Sequence, residues 1–207
     1  MDLQFYGANC ISLNYKGVRI IIDDNLAELG AKSVTKSDDV ALFTTMPHPT
    51  PNARLMFDGP GEYEIADISI VGISNRSHMD ESNAKSATMY KLVAGDYSVL
   101  VTGHVYPDLS DKLLEQIGLI DIIIIPVGGS GYTLDPIGAL KLIKEIEPKL
   151  IIPTHYADAA LTFPVPQIEL EAVLREIGME PRERVTKLKL KPGEITDATQ
   201  LLVLEKS

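Results

Sequence analysis

Four consecutive isoleucines, Ile122–Ile125, sit inside the run IDIIIIPV, and no other stretch constrains the fold as tightly. Successive side chains of a strand point to opposite faces, so a run apolar at both parities must be covered on both sides. That places it centrally in a layered α/β architecture. Downstream, Asp135-Pro136 offers an N-cap and first-turn pair for a helix over PIGALKLIKEIE, and KLIIPTH then reads as the next strand. The right-handed strand–helix–strand rule makes KLIIPTH parallel to IDIIIIPV. Ligand sites in such units lie beyond the carboxyl ends of the strands, here Val127-Gly128-Gly129 and Thr154-His155.

The first hundred residues read differently. LQFYG, ISLNY, VRIIID, VALFTT, ARLMF, YEI, DISIVGI, TMYKLVA and YSVLVT are short strands broken by turn residues, and their close spacing suggests antiparallel hairpins. Helical spacing returns at Leu109, Leu113, Leu114 and Ile117 before Gly118, and again over PQIELEAVLREIG. VTKLKLK and QLLVLE read as closing strands. With no repeat, low-complexity tract or evident linker, residues 1–207 are expected to form one α/β domain of mixed sheets covered by helices.

A formal charge of −10 argues against a general nucleic-acid binder, which needs a basic surface to displace counterions. Cys10 is the only cysteine, so an internal disulfide and a thiolate zinc cage are both excluded. The start MDLQFYG has no signal-peptide pattern, and the apolar runs fall short of a membrane span. The expectation is a cytoplasmic protein with a small-molecule ligand and no nucleic-acid or membrane partner. A homo-oligomer is compatible with the sequence.

All four histidines fall where a hydrophobic strand gives way to a loop: His48 in VALFTTMPHPT, His78 in ISIVGISNRSHMD, His104 in YSVLVTGHVYP and His155 in KLIIPTHYADA. Imidazole is the commonest metal ligand, and four copies placed this way could meet at one end of a strand scaffold. The order of FYGANCISL, GVRIIIDD, VALFTTMPHPTP, GPGEYEIADISIVGI, SHMD, VLVTGH, IDIIIIPVGGSGYTLDPIGAL and EPKLIIPTHY resembles the metallo-β-lactamase fold superfamily. It is closest to the compact branch of ascorbate-6-phosphate lactonase-like and other Zn-dependent hydrolases. The resemblance implies a four-layer αββα sandwich of mixed β-sheets with a two-metal site where the sheets meet.

Carried over residue by residue, the family's HxHxDH loop falls on Met46-Pro47-His48-Pro49-Thr50-Pro51, where His48 alone survives. His78 and His155 match the two later histidines, His104 stands at the bridging Asp, and Ala8 replaces a His of the first strand turn. Neutral imidazole offers one free lone pair, so His104 should not bridge two ions, and Pro51 carries no donor. The resemblance therefore implies at most one zinc, held by His48, His78 and His104 with His155 as a fourth ligand or beside a bound water. A hydroxide made there would hydrolyse a small ester, lactone or phosphoester, with Asp80 or Asp23 replacing the missing carboxylate. The alternative is a catalytically inactive pseudoenzyme that binds a ligand or a protein. A copper(I) site using Met46, an anion cradle in GGSGYT, and an overhang of the pocket by ADAALTFPVP with Phe163 are lesser readings.

Overall fold

The computed structural model describes residues 1–81 and 83–207. Its strands are β1 Asp2–Gly7, β2 Cys10–Tyr15, β3 Val18–Ile22, β4 Val40–Leu42, β5 Leu55–Phe57, β6 Gly61–Ile65, β7 Ile68–Asn75, β8 Ala87–Ala94 and β9 Tyr97–Val101. They continue with β10 Ile122–Pro126, β11 Leu150–Thr154, β12 Pro181–Val185, β13 Leu188–Lys189 and β14 Gln200–Leu204. The helices are α1 Asp111–Ile117, α2 Pro136–Ile146 and α3 Leu170–Ile177, with a 3₁₀ turn at Leu26–Leu29.

Two mixed sheets result, ordered β13-β1-β2-β3-β4-β5 and β12-β14-β11-β10-β9-β8-β7-β6. Their facing sides close one core. Leu3, Ile11, Ile20, Ile22 and Leu42 from the first sheet meet Ile70, Leu92, Val99, Ile122, Ile124 and Ile152 from the second. The isoleucine run divides as its parity demands, because Ile123 and Ile125 face outward against Leu142 and Ile143 of α2. β10 and β11 pair in parallel, Ile122 opposite Leu150 through Pro126 opposite Thr154. The Asp135 carboxylate caps α2, accepting from Gly138 N at 2.7 Å. This is the αββα arrangement, with one thin outer layer: the 3₁₀ turn and loop residue Leu161 cover Cys10 and Ile21 of the first sheet, and no α-helix contributes to that cluster.

Three local expectations are corrected. β1–β2–β3 form antiparallel hairpins, but β3, β4 and β5 run parallel. VTKLKLK is not one strand: Val185 ends β12 in the second sheet and Leu188 begins β13 in the first. α3 begins at Leu170, after Glu169, so PQIE belongs to the preceding loop. Among the described residues no helix is long and apolar enough to cross a membrane.

Candidate functional site

The carboxyl ends of β10 and β11 and the turn between β1 and β2 meet at one edge of the sandwich. Ala8 and His155 both adopt left-handed backbone, with φ 48° and 54°, and His155 N donates to Ala8 O at 2.7 Å. Left-handed geometry is unfavourable for residues carrying a Cβ and persists only where surrounding contacts over-determine it. Here it turns the chain sharply at the strand end, and the His155 side chain lines a cleft of about 680 Å³. That size suits a small organic ligand.

His155 Nδ1 lies 3.0 Å from Gln167 Oε1. The amide oxygen can only accept, so Nδ1 carries the proton and Nε2 keeps its lone pair for the cleft. Gly128 makes this pairing fit, since a Cβ there would collide with His155 O and Gln167 Oε1. The loop carrying Gln167 is anchored at both sides, by Ile168 N to Gly128 O and Thr162 N to Leu29 O, each 2.9 Å. It sets Phe163 on the cleft wall with its ring centroid 5.1 Å from that of His155.

His104 stands edge-on to His155, ring centroids 4.7 Å apart. Thr154 Oγ1 donates to Asn9 Oδ1 and Asn9 Nδ2 donates to His104 Nε2, both at 3.0 Å. In that relay His104 Nε2 accepts, so a neutral ring holds its proton on Nδ1, which is buried without a partner. Burial, then His155, then His78 hold His104 well below the usual imidazole pKa. Burial lowers His155 to about 4, against the opposing hydrogen bond to Gln167. Both rings are therefore neutral at physiological pH.

The other two histidines are placed differently. His78 N donates to His104 O at 2.8 Å, while its ring tilts against Tyr106 at 5.8 Å and its Nδ1 is buried without a partner. His48 lies flat on Phe43, centroids 4.0 Å apart and planes within 8°. Its Nδ1 donates to Pro49 O at 2.9 Å, and its Nε2 sits 3.3 Å from Asp58 Oδ2. A separate cavity of about 20 Å³, room for about one water, lies between His48, Asp23, Asn9 and His104. Among the described residues no three His, Cys, Asp or Glu side chains gather closely enough to hold a metal ion.

The two candidate carboxylates also have local partners. Asp23 accepts from Thr44 N at 2.7 Å and Thr44 Oγ1 at 2.6 Å, and burial raises it to about 6 despite those bonds and His48. Asp80 lines the cleft but accepts from Ser77 N, Ser86 N and Ser86 Oγ at 2.8, 2.8 and 2.6 Å. Burial pushes the Asp80 carboxyl up, yet the Ser86 and Ser77 bonds and Arg76 outweigh it and hold it below the usual carboxylate range. Asn9 and Gln167 escaped the sequence reading because lone amides carry no motif, and Thr154 was read as a strand-end position but not as the partner of Asn9. Gly128 beside a strand end was the one available signal.

A profile of the beta-lactamase superfamily domain matches residues 2–155. A UPF0173 metal-dependent hydrolase of Thermococcus onnurineus is 25% identical over 169 residues, covering 81% of this chain and 71% of the relative. One from Carboxydothermus hydrogenoformans is 44% identical over 45 residues, 22% of this chain and only 20% of its own length. Among solved structures, a protein of Thermotoga maritima named a Zn-dependent hydrolase of the metallo-β-lactamase superfamily aligns with TM-score 0.76 and 23% identity, over 100% of this chain and 99% of its own. Igni18, a metallo hydrolase of Ignicoccus hospitalis, aligns with TM-score 0.61 and 16% identity, over 86% and 90%.

Proposed function

The chain belongs to the metallo-β-lactamase superfamily, in its branch of compact metal-dependent hydrolases, and from that premise we propose that it is a small-molecule binding protein that keeps the superfamily's cleft without its two-metal hydrolysis. The observation that carries this reading is the loop after β4. Met46, Thr50 and Pro51 fill three ligand positions there, and the surviving His48 is stacked on Phe43 with both ring nitrogens engaged or facing Asp58. Two ions do not fit this donor set. The thioether is a soft donor, proline has none, and the bridging carboxylate is an imidazole with one lone pair to give. Without a bound metal, water in the cleft keeps its ordinary pKa of ~16 rather than the ~7 of metal-bound water. The chain's own residues supply recognition instead: His155 Nε2 as an acceptor, and Phe163 and Tyr132 as apolar surface.

A second reading is favoured by one observation. His78 Nδ1 and His104 Nδ1 are buried without partners, and His155 Nε2 is left free by Gln167. A single zinc would need the His78, His104 and His155 side chains to draw closer together than they stand, with His104 in its other tautomer and the Asn9 amide reversed. When bound, zinc would supply a Lewis acid and an acidic water. Metal analysis of untagged protein, combined with lactone, ester and phosphodiester assays, separates the two. The binding reading expects metal well below stoichiometric and no turnover. One zinc per chain with turnover abolished by His104→Ala would replace it with the hydrolase.

A further inference from the structure

The charge of the cleft lining narrows what it can hold. Among the described residues that line it none is Lys or Arg, whereas Glu28 and Asp80 are carboxylates. Arg76, behind Asp80, is spent elsewhere: its Nε and a terminal nitrogen donate to Asp80 O at 3.2 and 2.9 Å, and its guanidinium lies 4.0 Å from the centre of the Tyr106 ring. An anion entering this cleft would lose hydration and gain no cationic partner, which is costly.

For a cation the same walls are favourable. Tyr132, 41% exposed, and Phe163 present aromatic surface to the cleft, and ring faces attract ammonium groups. Met46 and Met79, both more than half exposed, offer adaptable apolar contact at the same cleft. Glu28 is exposed, so its carboxylate is free to turn toward a bound charge. The chain's net charge of −10 adds a long-range field that concentrates cations at the surface.

We propose that the cleft binds a small organic cation with an apolar body, an aryl- or alkylammonium, and excludes phosphate esters and carboxylates. This rests on the reading of the cleft as a metal-free ligand site, because a bound divalent ion would reverse its preference. The test uses full-length, metal-free protein and four probes sharing one apolar body: phenethylammonium, phenethyl alcohol, 3-phenylpropionate and phenethyl phosphate. Affinity is read by calorimetry and by shifts of the His104 and His155 ring protons.

Phenethylammonium should bind about tenfold more tightly than the alcohol, and the two anions more weakly than either, as one carboxylate at close range in a partly wetted site predicts. Glu28→Gln should remove most of the ammonium's advantage without changing the alcohol, and Glu28→Lys should invert the order. Glu62→Gln, an exposed carboxylate of β6, is the control and should change nothing. Tighter binding of either anion by metal-free protein overturns the cation assignment and leaves the ligand-site reading standing. Failure of all four probes to bind metal-free protein, with binding restored by zinc, overturns that reading as well.

Discussion

The two lips of the cleft are held differently. On one side, at the ends of β10 and β11, His155 is fixed by a left-handed backbone, a bond to Ala8 O, and Gln167 packed against Gly128. On the other, after β4, Met46 and Thr50 of the loop are exposed to solvent and His48 is folded onto Phe43. The first lip is specified by backbone geometry that also closes the sandwich. The second is made of side chains that the core does not need, so packing constrains it less.

The sharpest way to break this contrast is to strike the anchored lip. Gly128→Ala drives a methyl group into His155 O, a backbone atom that cannot move without opening the turn, and displaces Gln167 Oε1 from the His155 ring. We expect a loss of about 3 kcal/mol in denaturant unfolding, together with loss of ligand binding. Unchanged stability would mean that the strand end is not the rigid element described.

The pH dependence of stability tests the same lip with a smaller effect. In metal-free protein His155 has its pKa lowered from 6.5 to about 4, and His104 is lowered well below 6.5. Between those values the unfolded chain binds two protons that the folded chain refuses, so acidification destabilises. Asp23 opposes this: raised from 3.8 to about 6, it takes up a proton in the folded state first and stabilises as pH falls below 6. His78, also lowered by burial, adds to the imidazole side, so the folded chain binds fewer protons than the unfolded one between about pH 6 and 4. Stability should fall by at least about 1.4 kcal/mol per pH unit in that window. His155→Gln should flatten the slope, and a wild-type curve flat from pH 6 to 4 would contradict the buried, neutral pair.

Much of the anchored lip was legible in the sequence. The parity of Ile122–Ile125, the Asp135-Pro136 cap and the strand-end position of Thr154-His155 each follow from local rules, and all three hold in the structure. The parallel run of β3, β4 and β5 was not legible, since strands of three to five residues carry no mark of direction. β12 was missed because PRERV is largely exposed and charged, and it pairs only at the sheet edge. The convergence of four imidazoles was an inference from spacing along the chain. Spacing could not reveal that Phe43 offers His48 a stacking surface, or that Asn9 reaches His104 across 95 positions.

Between the lips sits Asp23, whose two oxygens accept from Thr44 N and Thr44 Oγ1. Thr44→Val leaves a buried carboxyl one partner short, and should remove about 1–2 kcal/mol while pushing the Asp23 pKa further up. A Thr44→Ser variant keeps the hydroxyl and should recover most of that stability. A carbon-detected titration of Asp23 separates lost hydrogen bonding from lost packing, because only the former moves its midpoint.

The smallest effect belongs to the loop after β4, and its smallness is the point. His48→Ala removes a ring stacked on Phe43 and a contact with Asp58, which is half exposed and therefore contributes little. Stability should drop by about 1 kcal/mol, and affinity for phenethylammonium should stay within about twofold, since His48 lies on the small cavity and not on the cleft lining. If His48 were still part of a working metal site, its loss would cost far more, with second-sphere changes alone reaching about 10–100-fold in metal affinity or activity. A large drop in zinc content or turnover in His48→Ala would therefore show that the loop swings back over His104 when metal is supplied, and that the two lips still act as one site.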